Sequence, residues 1–241
     1  AAVPLNPRYR ELELEQLLRA VRARALVVPG EAPHPATALA RRIGITVLEL
    51  VARPQQEAGI FELHGPECAE RLPSGFTGSE DIALVMHTSG TTSRPKIVPL
   101  THANLWLAAR HTSAALQLSS GDRLLLVVNL FHIHAVGMLV AALSTGGGVV
   151  CAPGFLAPKF FEWLDAFEPT WYSASPAVHQ MILDRAPIHR KSLERHRLRF
   201  VRSSAAALPP HVHRELENTF RVPVLEAYGL PEAAPAICCR R

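Results

Sequence analysis

At 241 residues, 48% hydrophobic and 19% charged, the chain has enough apolar side chain for one large domain or two lobes, and its composition excludes a disordered or low-complexity protein. The net charge of +4 is scattered, with lysine only at Lys96, Lys159 and Lys191; that suits a small anionic substrate as well as nucleic acid, but with no basic stripe interleaved with aromatics and no recognition-helix pattern, no nucleic-acid partner is expected. No apolar run is long enough to span a membrane, no signal peptide is expected, and Cys68, Cys151, Cys238 and Cys239 have no C-x-x-C spacing, which favours a reduced, cytoplasmic protein over a disulfide scaffold or zinc site.

The opening Ala2-Val3-Pro4-Leu5-Asn6-Pro7 reads as extended. Leu14, Leu17, Leu18 and Val21 then recur at i, i+3, i+4 and i+7, which predicts an amphipathic helix from Glu11 to Arg24. A strand over 25–28 stops at Pro29-Gly30. The pattern repeats with a helix from Ala36 to Arg42, a stop at Gly44 and a strand from Ile45 to Leu50. Residues 53–79 show little periodicity and read as a long connection with one short strand near Ile60 to Leu63.

The next strand, Ile82 to Met86, feeds the densest chemistry in the chain: His87-Thr88-Ser89-Gly90-Thr91-Thr92-Ser93-Arg94-Pro95-Lys96. Five hydroxyls, a glycine and a lysine in one turn offer N–H and O–H donors to a single spot, and Gly90 lets the backbone close around it. A polyphosphate, all acceptors and negative charge, is the matching guest, although the spacing is not that of a P-loop. A Ser/Thr-rich surface turn is the plainer reading of such residues.

Ile97 to Leu100 continues extended, and Thr101 caps a helix running to about Leu116. A strand over Leu124 to Val128 and a buried helix over Gly137 to Leu143 flank Asn129-Leu130-Phe131-His132-Ile133-His134. These two histidines lack a third ligand at metal spacing, and a packed histidine at a strand end is the commoner case. Further strands are expected over 149–152, 170–173, 198–203 and 224–228, separated by helices over 160–167, 176–185 and 209–220. Strands apolar on both faces alternating with helices give an α/β fold of mostly parallel sheets flanked by helices, whose ligands lie beyond the strands' carboxyl ends. Two more segments stand at such ends. Arg202-Ser203-Ser204-Ala205-Ala206-Ala207-Leu208-Pro209 is small enough for backbone to approach a flat ligand. Glu226-Ala227-Tyr228-Gly229-Leu230-Pro231-Glu232-Ala233-Ala234-Pro235 turns at Gly229 and leaves Glu232 near the sheet edge.

T-S-G-T-T-x-x-P-K, Thr88 to Lys96, resembles the phosphate-loop signature of the adenylate-forming superfamily of acyl-CoA synthetases, luciferases and adenylation domains, with Ser93 where glycine is more usual. Its continuation Val98-Pro99-Leu100-Thr101, and Thr170-Trp171-Tyr172-Ser173-Ala174-Ser175-Pro176-Ala177-Val178-His179-Gln180, are similar to the branch holding oxalate–CoA ligase and peroxisomal CoA synthetase. The resemblance implies that Thr88, Ser89, Gly90, Thr91, Thr92, Ser93 and Lys96 hold the β- and γ-phosphates of ATP. It also implies that Ser204, Ala205 and Ala206 wall the adenine pocket, on which Tyr228 stacks beside Gly229. His132 would wall the acyl and nucleotide pocket, and Glu232 would ligate Mg²⁺. The implied reaction is AMP-forming: a small-molecule carboxylate and ATP give an acyl-adenylate, and coenzyme A takes the acyl group as a thioester. Lys96, His132 and Glu232 are the catalytic expectations.

Two departures qualify the resemblance. Pro231 replaces the family's threonine, removing a hydroxyl and an N–H together, so slower adenylation is expected. Pro235 stands where the oxalate branch has histidine, which leaves oxalate and a more apolar acid both open. Residues 1–80 are expected to be a remnant of the first lobe and 81–241 the ATP-binding lobe. With no initial methionine, and with the family's T-G-D segment and lid domain beyond its end, the chain is expected to be a fragment with little activity of its own. A catalytically silent nucleotide-binding or scaffold module is the rival reading; a serine hydrolase is disfavoured because no G-x-S-x-G occurs. Oligomeric state is left open.

Overall fold

Leu14, Leu17 and Leu18 are buried on one face of helix α1 (Glu11–Ala20) in the computed structural model, which describes residues 1–30, 34–66, 75–88, 96–234 and 236–240. The helix stops short of the predicted Arg24. Arg22 takes a left-handed conformation, φ 51°, and the Ala23 N–H reaches back to the Leu18 carbonyl, closing the end as a glycine commonly does. Strand β1 (Ala25–Pro29), helix α2 (Pro35–Arg42), strand β2 (Thr46–Ala52) and strand β3 (Phe61–His64) follow. Gly44, φ 76°, ends α2, again with a bond from the next N–H, Ile45, to Ala40. These elements make a three-stranded sheet in the order β1-β2-β3, parallel then antiparallel, over a core of Leu14, Leu18, Leu26, Val28, Leu39 and Ala40. They form one compact unit, Leu5–Thr77; Ala1–Pro4 and Gly78–Arg241 form the other.

The second unit starts with β4 (Ile82–Thr88) and β5 (Lys96–Thr101), an antiparallel pair in which Thr88 faces Lys96. This corrects the expectation that the strand entering the hydroxyl-rich turn lies in a parallel sheet; Leu84, Met86, Val98 and Leu100 alternate with half-buried or exposed residues, the mark of a ribbon buried on one face. The turn itself, Ser89 to Pro95, lies outside the described residues.

Helix α3 (His102–Leu116), β6 (Arg123–Leu126), α4 (Ile133–Ser144), β7 (Gly148–Cys151), α5 (Phe160–Phe167), β8 (Trp171–Ala174), α6 (Pro176–Leu183), α7 (Arg190–Arg195), β9 (Phe200–Ser203), α8 (Pro210–Phe220), β10 (Val224–Gly229) and β11 (Ala236–Arg240) complete the unit. Six strands form one sheet in the order β11-β10-β9-β8-β6-β7, parallel except for β11. Because side chains alternate along a strand, Trp171, Phe200 and Leu126 meet α3 and α4 on one face, while Tyr172, Val201 and Leu125 meet α5, α6 and α8 on the other. Trp171 and Tyr172 are fully buried core residues. The sequence did not announce α7 or β11, both short and mostly polar or small.

Candidate active-site cleft

The carboxyl ends of β6, β8, β9 and β10 open onto a cleft of about 780 Å³. Its walls are Val127 to Asn129 past β6, Phe131 to His134 at the head of α4, Ser175 past β8, Arg202, Ser204 and Ala205 at the end of β9, and Gly229 to Pro231 past β10. Met86, His87 and Thr88 from the end of β4 close another side. The hairpin is carried there by packing: Leu84, Met86, Val98 and Leu100 share a core with Ile133 and Val136 of α4 and with Ala234. That contact also seats the short 3-10 turn Pro231–Ala233, which is held by an N–H to carbonyl bond from Ala233 to Leu230.

Alpha-helix α4 begins earlier than the predicted Gly137, so His132 is its N-cap residue and His134 lies in its first turn, not at a strand end. The His134 Nε2 is 2.7 Å from the Ser173 Oγ and 3.2 Å from Arg202 Nη1, which donates to it. Burial first, then the positive charge of Arg202, push the His134 pKa down to about 3, so the ring is neutral. Burial likewise lowers His87 and His132, in the case of His87 with His132 as a second cause.

Of the residues singled out from the sequence, Thr88, His132, Ser204, Ala205 and Gly229 line this cleft. Ala205 does so in a left-handed conformation, φ 75°, which a non-glycine residue holds only when its surroundings impose it. Ala206 is exposed beside it. Tyr228, 63% exposed, and Glu232, also exposed, flank the lining residues Gly229 to Pro231 without joining them. Lys96 is exposed on β5 opposite Thr88. Ser89, Gly90, Thr91, Thr92 and Ser93 lie outside the described residues.

Sequence reasoning passed over Arg202. The available signal was an arginine inside an otherwise apolar strand, Phe200-Val201-Arg202, where a charged side chain needs a reason to be buried. Asp122 was also missed. It is buried, accepts from Arg199 Nη1 at 2.5 and 2.6 Å, from Thr170 Oγ1 at 2.7 Å and from the Ser119 N–H at 2.9 Å, and so ties the starts of β6, β8 and β9 together.

The AMP-binding enzyme family matches the chain over residues 1–241. A probable CoA ligase of Humulus lupulus is 36% identical over 242 residues, covering 97% of this chain and 45% of that protein. The oxalate–CoA ligase of Arabidopsis thaliana is 35% identical, covering 96% of this chain and 46% of that protein. The chain thus spans slightly under half the length of these relatives. Among solved structures, a malonyl-CoA ligase holding methylmalonyl-CoA and AMP superimposes with a TM-score of 0.80 at 26% identity, over 100% of this chain and 48% of that one. An ATP-bound MatB from Rhodopseudomonas palustris gives 0.79 at 22% identity, over 99% of this chain and 46% of that one, a likeness of fold.

Proposed function

Because this chain belongs to the AMP-binding enzyme family, we propose that the whole protein is an AMP-forming carboxylate–CoA ligase and that the cleft at the ends of β6, β8, β9 and β10 is where the acid is activated. A carboxylate oxygen attacks the α-phosphorus of ATP, the bond to pyrophosphate breaks, and pyrophosphate leaves with the bonding pair. The thiol sulfur of coenzyme A then attacks the acyl carbon, AMP leaves, and the thiol proton passes to solvent. Both reactants of the first step are anionic, so the protein's work is alignment and charge neutralisation, and no side-chain nucleophile is needed.

The observation that carries the reading is the meeting of Thr88, His132, Ser204, Ala205 and Gly229, from four separate stretches of sequence, on one cleft. We assign Thr88 and Lys96, with Ser89 to Ser93 between them, to the β- and γ-phosphates, and Ser204, Ala205, Ala206, Tyr228 and Gly229 to the adenine. His132, at the cleft wall, is assigned to the acyl and nucleotide pocket. Unit Leu5–Thr77 we regard as part of a first lobe and the unit containing Gly78–Arg241 as the nucleotide-binding lobe. A cytoplasmic location is retained, in keeping with the free thiols of Cys151, Cys238 and Cys239. Among the described residues no helix is long and apolar enough to cross a membrane.

Mg²⁺ suits this donor set in one way. Among the described residues no three His, Cys, Asp or Glu gather as a cage, and a magnesium ion carried on phosphates asks for only one or two carboxylates, which exposed Glu232 can supply. Such an ion, when bound, neutralises phosphate charge.

ATP–pyrophosphate exchange by the whole protein, screened over carboxylic acids, tests the assignment: exchange that depends on an added acid is expected, and none with any acid would refute it. Lys96→Ala should raise the ATP concentration needed for half-maximal exchange at least about tenfold. The rival, a nucleotide-binding module without turnover, is favoured by one observation: Pro231 lines the cleft with neither hydroxyl nor N–H to offer. Calorimetric ATP binding without exchange would decide for it.

A further inference from the structure

Scattered along most of the chain, the cations crowd together in one stretch. Residues 185–199 hold five arginines and Lys191 against Glu194 alone, a net +5 in a chain whose total is +4. The fold turns most of that charge to one side. His189, Ser192, Leu193 and His196, spaced i, i+3, i+4 and i+7, face inward. The His189 and Phe161 rings stack with centroids 4.3 Å apart, and Ser192 Oγ donates to Asp165 at 2.7 Å. Leu193 packs on the core, and the Phe220 carbonyl lies 3.1 Å from His196 Nε2. The outward side of α7 is therefore Arg190, Lys191, Glu194 and Arg195, all exposed, followed by exposed Arg197. Just before them the 3-10 turn Ala186–Ile188, anchored by buried Ala186, holds out Ile188, 77% exposed, with Pro187 exposed beside it.

This charge is uncompensated. Arg19, Arg42, Arg53 and Arg199 each meet a carboxylate, whereas among the described residues Arg190, Lys191 and Arg195 meet none and Arg197 reaches only Glu168, at 3.9 Å. Lys191 and Arg195, four apart on one helix face, repel each other, so the cluster does nothing for the fold. A lone exposed isoleucine is ordinary. One held out on an anchored turn next to unpaired cations has the make-up of a surface that meets anionic headgroups, with the cations at the phosphates and the aliphatic side chain at the acyl boundary. Nucleic acid is better met by rings on which bases stack, and residues 185–199 contain no Phe, Tyr or Trp.

We propose that the face formed by Ile188, Arg190, Lys191, Arg195 and Arg197 docks the protein, peripherally and reversibly, on an anionic phospholipid bilayer. None of the five lines the cleft, and the inference stands apart from the ligase reading.

The test is co-sedimentation of the whole protein with vesicles of phosphatidylcholine alone and with vesicles in which about one quarter is phosphatidylserine, at about 0.1 M and about 0.5 M NaCl. At the lower salt the wild type is expected to bind the phosphatidylserine vesicles at least about tenfold more tightly than the neutral ones, and to lose that preference at the higher. The triple variant Arg190→Gln, Lys191→Gln, Arg195→Gln should bind about 10²-fold more weakly, since each cation near such a surface is worth about fivefold. Ile188→Gln should lose several-fold while keeping the salt dependence. All these side chains are exposed, so the variants should melt as the wild type does, and the wild-type lipid preference is read without any variant. No binding, equal binding to neutral vesicles, or full binding by the folded triple variant overturns the proposal. So does retention of a duplex oligonucleotide without retention of vesicles, which would give the patch to nucleic acid.

Discussion

Pro231 occupies the first position of its 3-10 turn, where a missing N–H costs the backbone nothing, so the turn tolerates it and the reaction bears the consequence. Pro231→Thr restores a hydroxyl at the cleft edge without disturbing the Ala233 and Ala234 N–H bonds, and adenylate formation should accelerate by about 10-fold or more, read by pyrophosphate exchange. Unchanged exchange would mean that no donor is wanted there. Asp122 is the opposite kind of residue, remote from the cleft and entirely structural. Burial pushes its carboxyl toward a higher pKa, but hydrogen bonds from Arg199, Thr170 and Ser119, and the charge of Arg199, hold it below the ordinary carboxylate value. Asp122→Asn removes the charge and should cost about 2–3 kcal/mol in urea unfolding, with exchange per folded molecule unaltered.

Most helix bounds in this chain were legible; the main exceptions are the end of α1, read at Arg24 and found at Ala20, and the start of α4, read at Gly137 and found at Ile133. Thr101 was legible as the N-cap of α3 because a hydroxyl preceding an apolar periodic run satisfies an orphan N–H; its Oγ1 accepts from the Asn104 N–H at 3.1 Å, and the Asn104 Oδ1 accepts in return from the Thr101 N–H at 3.0 Å. Thr101→Ala is expected to destabilise by about 1 kcal/mol and Thr101→Ser by much less, measured by thermal or denaturant melts. The end of α1 was missed because Arg22 takes a left-handed conformation usually reserved for glycine, whereas α3 and α8 end at Leu116 and Phe220 as expected although Gln117 and Arg221 take it too. Local sequence gave Gly44 away as a stop and hid Arg22. The ribbon β4–β5 was foreseen as two extended segments; that they pair only with each other and with Ala2, among the described residues, depends on partners distant in the chain.

Across the molecule, buried histidines shape how stability depends on pH. His134 and His179 have pKa values pushed from 6.5 to about 3 and about 4, chiefly by burial. The folded protein holds these rings neutral while the unfolded chain protonates them below pH 6.5, so the unfolded state binds the extra protons. Stability is thus full above about pH 6.5 and is lost as pH falls toward 4 and then 3, by up to about 1.4 kcal/mol per pH unit for each ring. Urea midpoints at pH 7.5, 6 and 5 should fall in that order, and His179→Asn should flatten the fall. A midpoint independent of pH over this range would show that neither ring is held neutral.

The sequence by itself determined the α/β class, the order of nearly every strand and helix, and which short motifs would carry chemistry, because periodicity, caps and crowded hydroxyls are local properties. It named Thr88, His132, Ser204, Ala205 and Gly229 one motif at a time. Only the tertiary structure decided that these share one cleft, that His132 and His134 open a helix, and that Arg202 lies buried there with no carboxylate partner among the described residues. The physical reason is that a charge's partners, and its dielectric, are set by residues far away in sequence, which no local pattern can report.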